Sequence, residues 1–129
     1  MIKYLTPIIA CLAIASPSYA ISESIKAQLL RLTPEERLEQ RCDIEAMDQL
    51  GALKSGFSPD RVVSYTFGPA DVSKNTVHAK GAAFRSKGQW FRLKYKCTVE
   101  LKTLEVKDFE FDVGDEIPKS DWQRYYLYD

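Results

Sequence analysis

Histidine is nearly absent from this chain: His78 is the only one in 129 residues. Serine and cysteine nucleophiles ordinarily need a histidine beside them as base, and His78, between Val77 and Ala79, reads as a partly exposed strand position with no catalytic role. Cysteine is scarce as well, at three residues. Cys42 and Cys97 are too far apart for a CxxC redox pair or a compact zinc motif. No GxGxxG, P-loop or HExxH is present. There is also no excess of charge of one sign, with 18 basic and 18 acidic residues, so the chain carries no electrostatic footprint for nucleic acid or an anionic membrane. Its mainly apolar run, residues 4–15, falls short of the roughly 20 residues that span a bilayer. The expectation is a chain without metal or cofactor, not membrane-spanning, and leaning away from enzymes.

What is present begins with an export leader. Lys3, the apolar run, helix-breaking Pro17 and the small residues Ser18 and Ala20 read as a secretory signal peptide over residues 1–20, cleaved after Ala20. Residues 21–129 then form one small domain, expected to be a monomer in the periplasm or secreted. Cys11 leaves with the leader. Two cysteines remain for an oxidising compartment, and a Cys42–Cys97 disulfide is the natural inference.

The chain is organised around residues 32–47. Thr33 is an N-cap with Glu36 three residues on, Pro34 falls at the first helical position, and Glu35, Glu36 and Glu39 favour the positive end of the helix dipole. At about 100° per residue, Leu38, Cys42, Ala46, Leu50 and Leu53 form one apolar stripe. Arg37, Arg41, Glu45 and Asp48 share another side, read as a solvated charged face.

Strands follow. Residues 61–67 and 76–84 are rich in β-branched, aromatic and small side chains, with a polar loop at 70–75 between them. Gly81, Ala82 and Ala83 point to a close neighbour, either the helix or a bulge. Ser86-Lys87-Gly88 reads as a hairpin turn into residues 89–100, where Phe91, Leu93, Tyr95, Cys97 and Val99 alternate with Trp90, Arg92, Lys94 and Lys96. In the last strand, residues 104–113, the apolar parity switches, which predicts a bulge near Lys107-Asp108. The expected register sets Phe91 opposite Val113, Leu93 opposite Phe111 and Tyr95 opposite Phe109, with Arg92, Lys94 and Lys96 facing Asp112, Glu110 and Asp108. Ser120 can cap a terminal helix carrying Trp122, followed by an aromatic cluster. The fold class is α+β: a central helix packed on a four-stranded, mainly antiparallel sheet, with short N-terminal and C-terminal helical segments.

Taken together, the run from Arg37 to Met47, the Gly81-Ala82-Ala83-Phe84-Arg85 strand end, Trp90, Leu93, Tyr95 and Cys97, and the terminal Ile117, Pro118 and Trp122 resemble the domain-of-unknown-function family 930, small exported proteins of alphaproteobacteria. The resemblance covers about residues 32–127. It implies the same domain and its bridge, and carries no activity; Phe91 stands where the family motif favours tyrosine.

The functional expectation is a non-catalytic cell-envelope module that binds a protein or a cell-wall component. Its candidate surface comprises Arg37, Arg41, Arg85, Trp90 and Arg92, with Trp90 exposed on a basic strand face. Arg41 and Arg85 also admit an internal reading, holding the C-terminal segment through its carbonyls or Asp121. Alternatives are a small-ligand carrier with an apolar pocket lined by Tyr65, Tyr95 and Phe109, and a wall hydrolase using carboxylates among Asp43, Glu45 and Asp48.

Overall fold

The computed structural model describes residues 21–129; the expected leader lies outside the described residues. Thr33 caps helix α2 (Pro34–Gly51), its Oγ1 accepting from the Glu36 N–H at 3.3 Å. A shorter helix, α1 (Glu23–Leu29), is capped by Ser22. Leu38, Cys42, Ala46 and Leu50 are buried in the main core against strand residues such as Val77, Phe84, Leu93 and Cys97. The same helix also buries Arg41 and Glu45, 1 % and 4 % exposed. Reading Arg37, Arg41, Glu45 and Asp48 as one solvated side is therefore corrected, since of the four only Asp48 is fully exposed.

The sheet has five strands, all pairing antiparallel: β1 (Pro59–Val63), β2 (Asp71–Ser73), β3 (Thr76–Ser86), β4 (Gln89–Val99) and β5 (Val106–Glu116). Their order is β1-β3-β4-β5, with β2 paired to the start of β3. The extra strand, β2, is a three-residue arm in the expected loop, turning back at Lys74, whose φ is +53°. Between β3 and β4, Lys87 and Gly88 both take positive φ, as a two-residue hairpin turn of matching twist requires.

The first strand ends earlier than its composition suggests. After Val63 the chain turns, Thr66 Oγ1 donates to the Val63 carbonyl, and the Phe67 N–H donates to the Gly81 carbonyl at 2.8 Å. A Cβ on Gly81 would stand 3.0 Å from Phe67 Cβ, so the close neighbour is this turn. A bulge accompanies it, between Ala79 and Ala82.

Along β4 and β5 the faces are as expected but the register is displaced by two residues. Leu93 pairs with Val113, Tyr95 with Phe111 and Cys97 with Phe109, while Lys94 faces Asp112 and Lys96 faces Glu110. The predicted bulge at Lys107 is present, where Thr98 pairs with Asp108 but Val99 with Val106. A second irregularity, where Leu93 pairs with Val113 but Phe91 with Glu116, adds one more residue of offset. Gly114 sits there with Arg92 Cβ only 2.9 Å from where its own Cβ would be, leaving no room for a side chain.

The other face of the sheet carries a second, smaller core of Ala83, Trp90, Ile117, Trp122 and Leu127. The chain beyond β5 crosses that face through two 3₁₀ turns, Lys119–Asp121 and Gln123–Tyr125, neither with a side-chain cap, so the expected helix capped by Ser120 is replaced by tighter turns. Adjacent Ala82 and Ala83 are both fully buried because layers cover the sheet on both sides here.

Candidate functional site: the cleft between α2 and β1

Four of the five residues expected to form one binding surface are engaged within the domain. Arg37 donates to the carbonyls of Leu29, Leu30 and Leu32 at 3.1–3.2 Å and so closes the end of α1. Arg41 donates from Nε to the Leu104 carbonyl at 2.7 Å and pairs with Glu45 at 3.2 Å. Arg85 holds Asp60 through two contacts of 2.9 and 3.1 Å and donates to the Tyr128 carbonyl at 3.2 Å. Its guanidinium keeps the Asp60 carboxyl below the ordinary carboxylate range.

Trp90 is 2 % exposed, and its indole N–H donates to the same Tyr128 carbonyl at 2.8 Å. The expectation of an exposed Trp90 is corrected: alternation turns it away from the helix, but the C-terminal segment covers that side. Only Arg92 remains on the surface, its guanidinium 3.9 Å from the centre of the Phe67 ring. The internal reading holds for Arg85, whereas Arg41 secures the β4–β5 turn instead of the C-terminus.

Cys42 and Cys97 are bridged, with their Cα atoms 6.0 Å apart. The carrier pocket expected from Tyr65, Tyr95 and Phe109 is not assembled. Tyr95 is buried and stacks on Phe109, while Tyr65 is 64 % exposed beyond β1.

Two open concavities lie on either side of β1. One, of about 550 Å³, separates it from α2. The helix contributes Glu36, Glu39, Gln40, Asp43, Ile44 and Met47, a single stripe at helical spacing. Opposite stand four consecutive strand residues, Asp60, Arg61, Val62 and Val63, with Tyr65 beyond. Strand side chains alternate between faces, so consecutive lining residues mean that the cleft meets the edge of β1. The other concavity, of about 690 Å³, shares Arg61, Val63 and Tyr65 and continues to Tyr125, Tyr126 and Tyr128.

Asp43 is the most perturbed carboxyl here. It accepts from the Tyr95 hydroxyl at 2.9 Å. Burial raises it to about 7; the Tyr95 hydrogen bond opposes that shift and the charge of Glu39 adds to it. Burial, followed by the neighbouring Asp43 charge, pushes the Tyr95 phenol far above its ordinary value, so Tyr95 remains the donor. Glu39 is also raised, by burial and then by Glu35 and Glu36. Both carboxyl shifts come from burial first and like-charged neighbours second, each of which disfavours the ionised carboxyl. The carboxylate pairing considered for hydrolysis is not formed by Asp43 and Glu45, since Glu45 is turned to Arg41 and Gln49.

A carboxyl whose folded value lies above its ordinary 3.8 contributes stability that is complete below that pH and is lost as pH rises through about 7. Asp43→Asn keeps an acceptor for Tyr95. It is expected to flatten the loss of stability between pH 4 and 7 and to leave the domain about 2 kcal/mol more stable than the parent at pH 8, a figure reduced for the open cleft. Denaturant unfolding of both proteins at pH 5 and pH 8 measures it; parallel pH slopes would refute the assignment.

A helix bridged by a disulfide to an antiparallel sheet, with a second small core behind that sheet, defines a compact α+β domain class. Residues 29–127 match the family described as Domain of Unknown Function (DUF930), and the chain belongs to that family. No curated protein and no solved structure matches it. No described helix is long and apolar enough to cross a membrane.

Proposed function

We propose that this protein is an exported, non-catalytic module of the cell envelope that binds a protein or a cell-wall component through the clefts flanking β1. The observation that carries this reading is Tyr65, 64 % exposed, at the junction where the two clefts share Arg61 and Val63. A large aromatic left out of the core between two concavities is the kind of anchor that binding surfaces use. Export to the periplasm rests on the leader read in residues 1–20 and agrees with the Cys42–Cys97 bridge.

The test is site-specific photocrosslinking in cells secreting the full-length precursor. A photoreactive residue replaces Tyr65 or, as a control on the far β4–β5 turn, exposed Lys102. Discrete adducts from position 65 and none from position 102, on a protein whose chain begins at Ile21, are expected. Identical patterns from both positions, or none from either, would overturn the reading.

A further inference from the structure

We propose that the α2–β1 cleft receives an extended, basic peptide segment of a partner protein, which adds to the sheet as a new strand on the free edge of β1. This deepens the binding reading above and rests on it. β1 ends the strand order, and its one strand partner among the described residues is β3. The edge pointing away from β3 is the edge that four consecutive residues present to the cleft. An unpaired strand edge is a template of alternating N–H and C=O groups. Placed beside a helix, it makes a groove in which a peptide gains main-chain hydrogen bonds from the strand and side-chain selection from the helix.

The helix wall states what is selected. Pro59 at the start of β1 lies against Gly51 at the end of α2, with 3.8 Å between the proline ring and a Cβ placed on that glycine. The strand therefore runs back along the helix. Ile44, Met47 and Val62 supply the apolar part of the cleft, whereas the carboxyls of Glu36, Glu39 and Asp43 gather toward the end near Tyr65 and outnumber Arg61, the one cation of the lining. Among the described residues none of these three acids is in an ion pair, and the remaining acid, Asp60, is taken by Arg85.

A lysine or arginine arriving on an added strand would meet this carboxylate row, with the exposed ring of Tyr65 as a cation-π platform. Side chains of an added strand face the helix at every second position, so on that same face an apolar residue nearer the Gly51 end would meet Ile44 and Met47. An acidic segment would meet like charge, so the groove discriminates by sign as well as by shape.

The experiment uses the exported protein, residues 21–129, and a capped hexapeptide with lysine at positions one and three, valine at position five and threonine between, so that one face carries both chemistries. Two derivatives, each methylated on one alternating set of backbone nitrogens, and a counterpart with glutamate in place of lysine complete the set. Expected results are saturable binding of the lysine peptide and slowing of β1 amide exchange by about tenfold or more. Glu39→Lys and the glutamate peptide should each weaken binding by about tenfold or more.

One methylated derivative should bind and the other should not, because only one edge of an added strand donates to its neighbour. Binding of both derivatives, unchanged β1 exchange, or absence of lysine-peptide binding would overturn strand addition. So would a doubled mass in which β1 pairs with a second copy. Position-65 crosslinks are read without any peptide, so they stand or fall independently and separate failure of this inference from failure of the binding reading.

Discussion

Arg41→Ala is expected to lower the unfolding free energy by about 3–5 kcal/mol, well beyond what an exposed helical ion pair contributes. The side chains of Arg41 and Glu45 are 1 % and 5 % exposed, so truncating the arginine leaves a carboxylate in the interior. It also removes the donor that meets the Leu104 carbonyl at 2.7 Å. Leu104 is fully buried with a φ of +61°, a conformation that a leucine side chain disfavours and that its surroundings must hold. Urea unfolding of Arg41→Ala, Glu45→Ala and the double variant measures the effect. The double variant should lose less than the two singles added together, because it leaves no charge stranded. A loss under about 1 kcal/mol for Arg41→Ala would mean that the pair acts as a surface pair.

Reduction of the Cys42–Cys97 bridge should cost about 4 kcal/mol by the chain-entropy relation, since the closed loop spans a sequence separation of 55. The bridge joins the middle of α2 to the strand at the centre of the sheet's main core, both cysteines being fully buried. A domain of this size commonly has only about 5–15 kcal/mol in hand, so the loss should move its denaturation midpoint strongly. Unfolding curves with and without reductant are compared, with thiol counting to establish that the bond has opened. A difference below about 1 kcal/mol would show that the denatured chain is already restricted without the bond.

Local chemistry made several elements legible in the sequence. Thr33 and Pro34 mark the helix start, Lys87-Gly88 marks a hairpin, and the parity switch in the last strand marks the bulge at Lys107. Alternation along β4 identified the faces of Leu93, Tyr95 and Cys97 correctly. It could not say what covers the opposite face, and Trp90 was therefore assigned to solvent although residues from Ile117 onward close over it. The β4–β5 register differs from the expected one because it is set at the turn, where Val99 pairs with Val106, and alternation of charges and aromatics is satisfied equally well by a shift of two residues.

The site was harder to read, for a related reason. Arg41 and Glu45 look like any exposed pair four residues apart, and their burial depends on a turn 63 residues away from Arg41. Asp43 becomes unusual through its burial, at a point of the helix that meets Tyr95, 52 positions later. The available signal was its place one residue after the bridged cysteine, which ties that turn of the helix to β4. Nothing in local composition distinguishes an edge strand from an internal one, so the cleft at β1 emerges only from strand order.

The shared hydrogen-bond acceptor on Tyr128 gives the domain a built-in order of completion as it folds. Trp90 and Arg85 donate to that single carbonyl, and Leu127 beside it fills the smaller core. The helix and the main core can form their side of the structure first, but the back of the sheet stays uncovered until Ile117, Trp122 and Leu127 are laid across it. A chain cut ahead of Leu127 would lose the acceptor of the indole N–H and leave Trp90 partly bare.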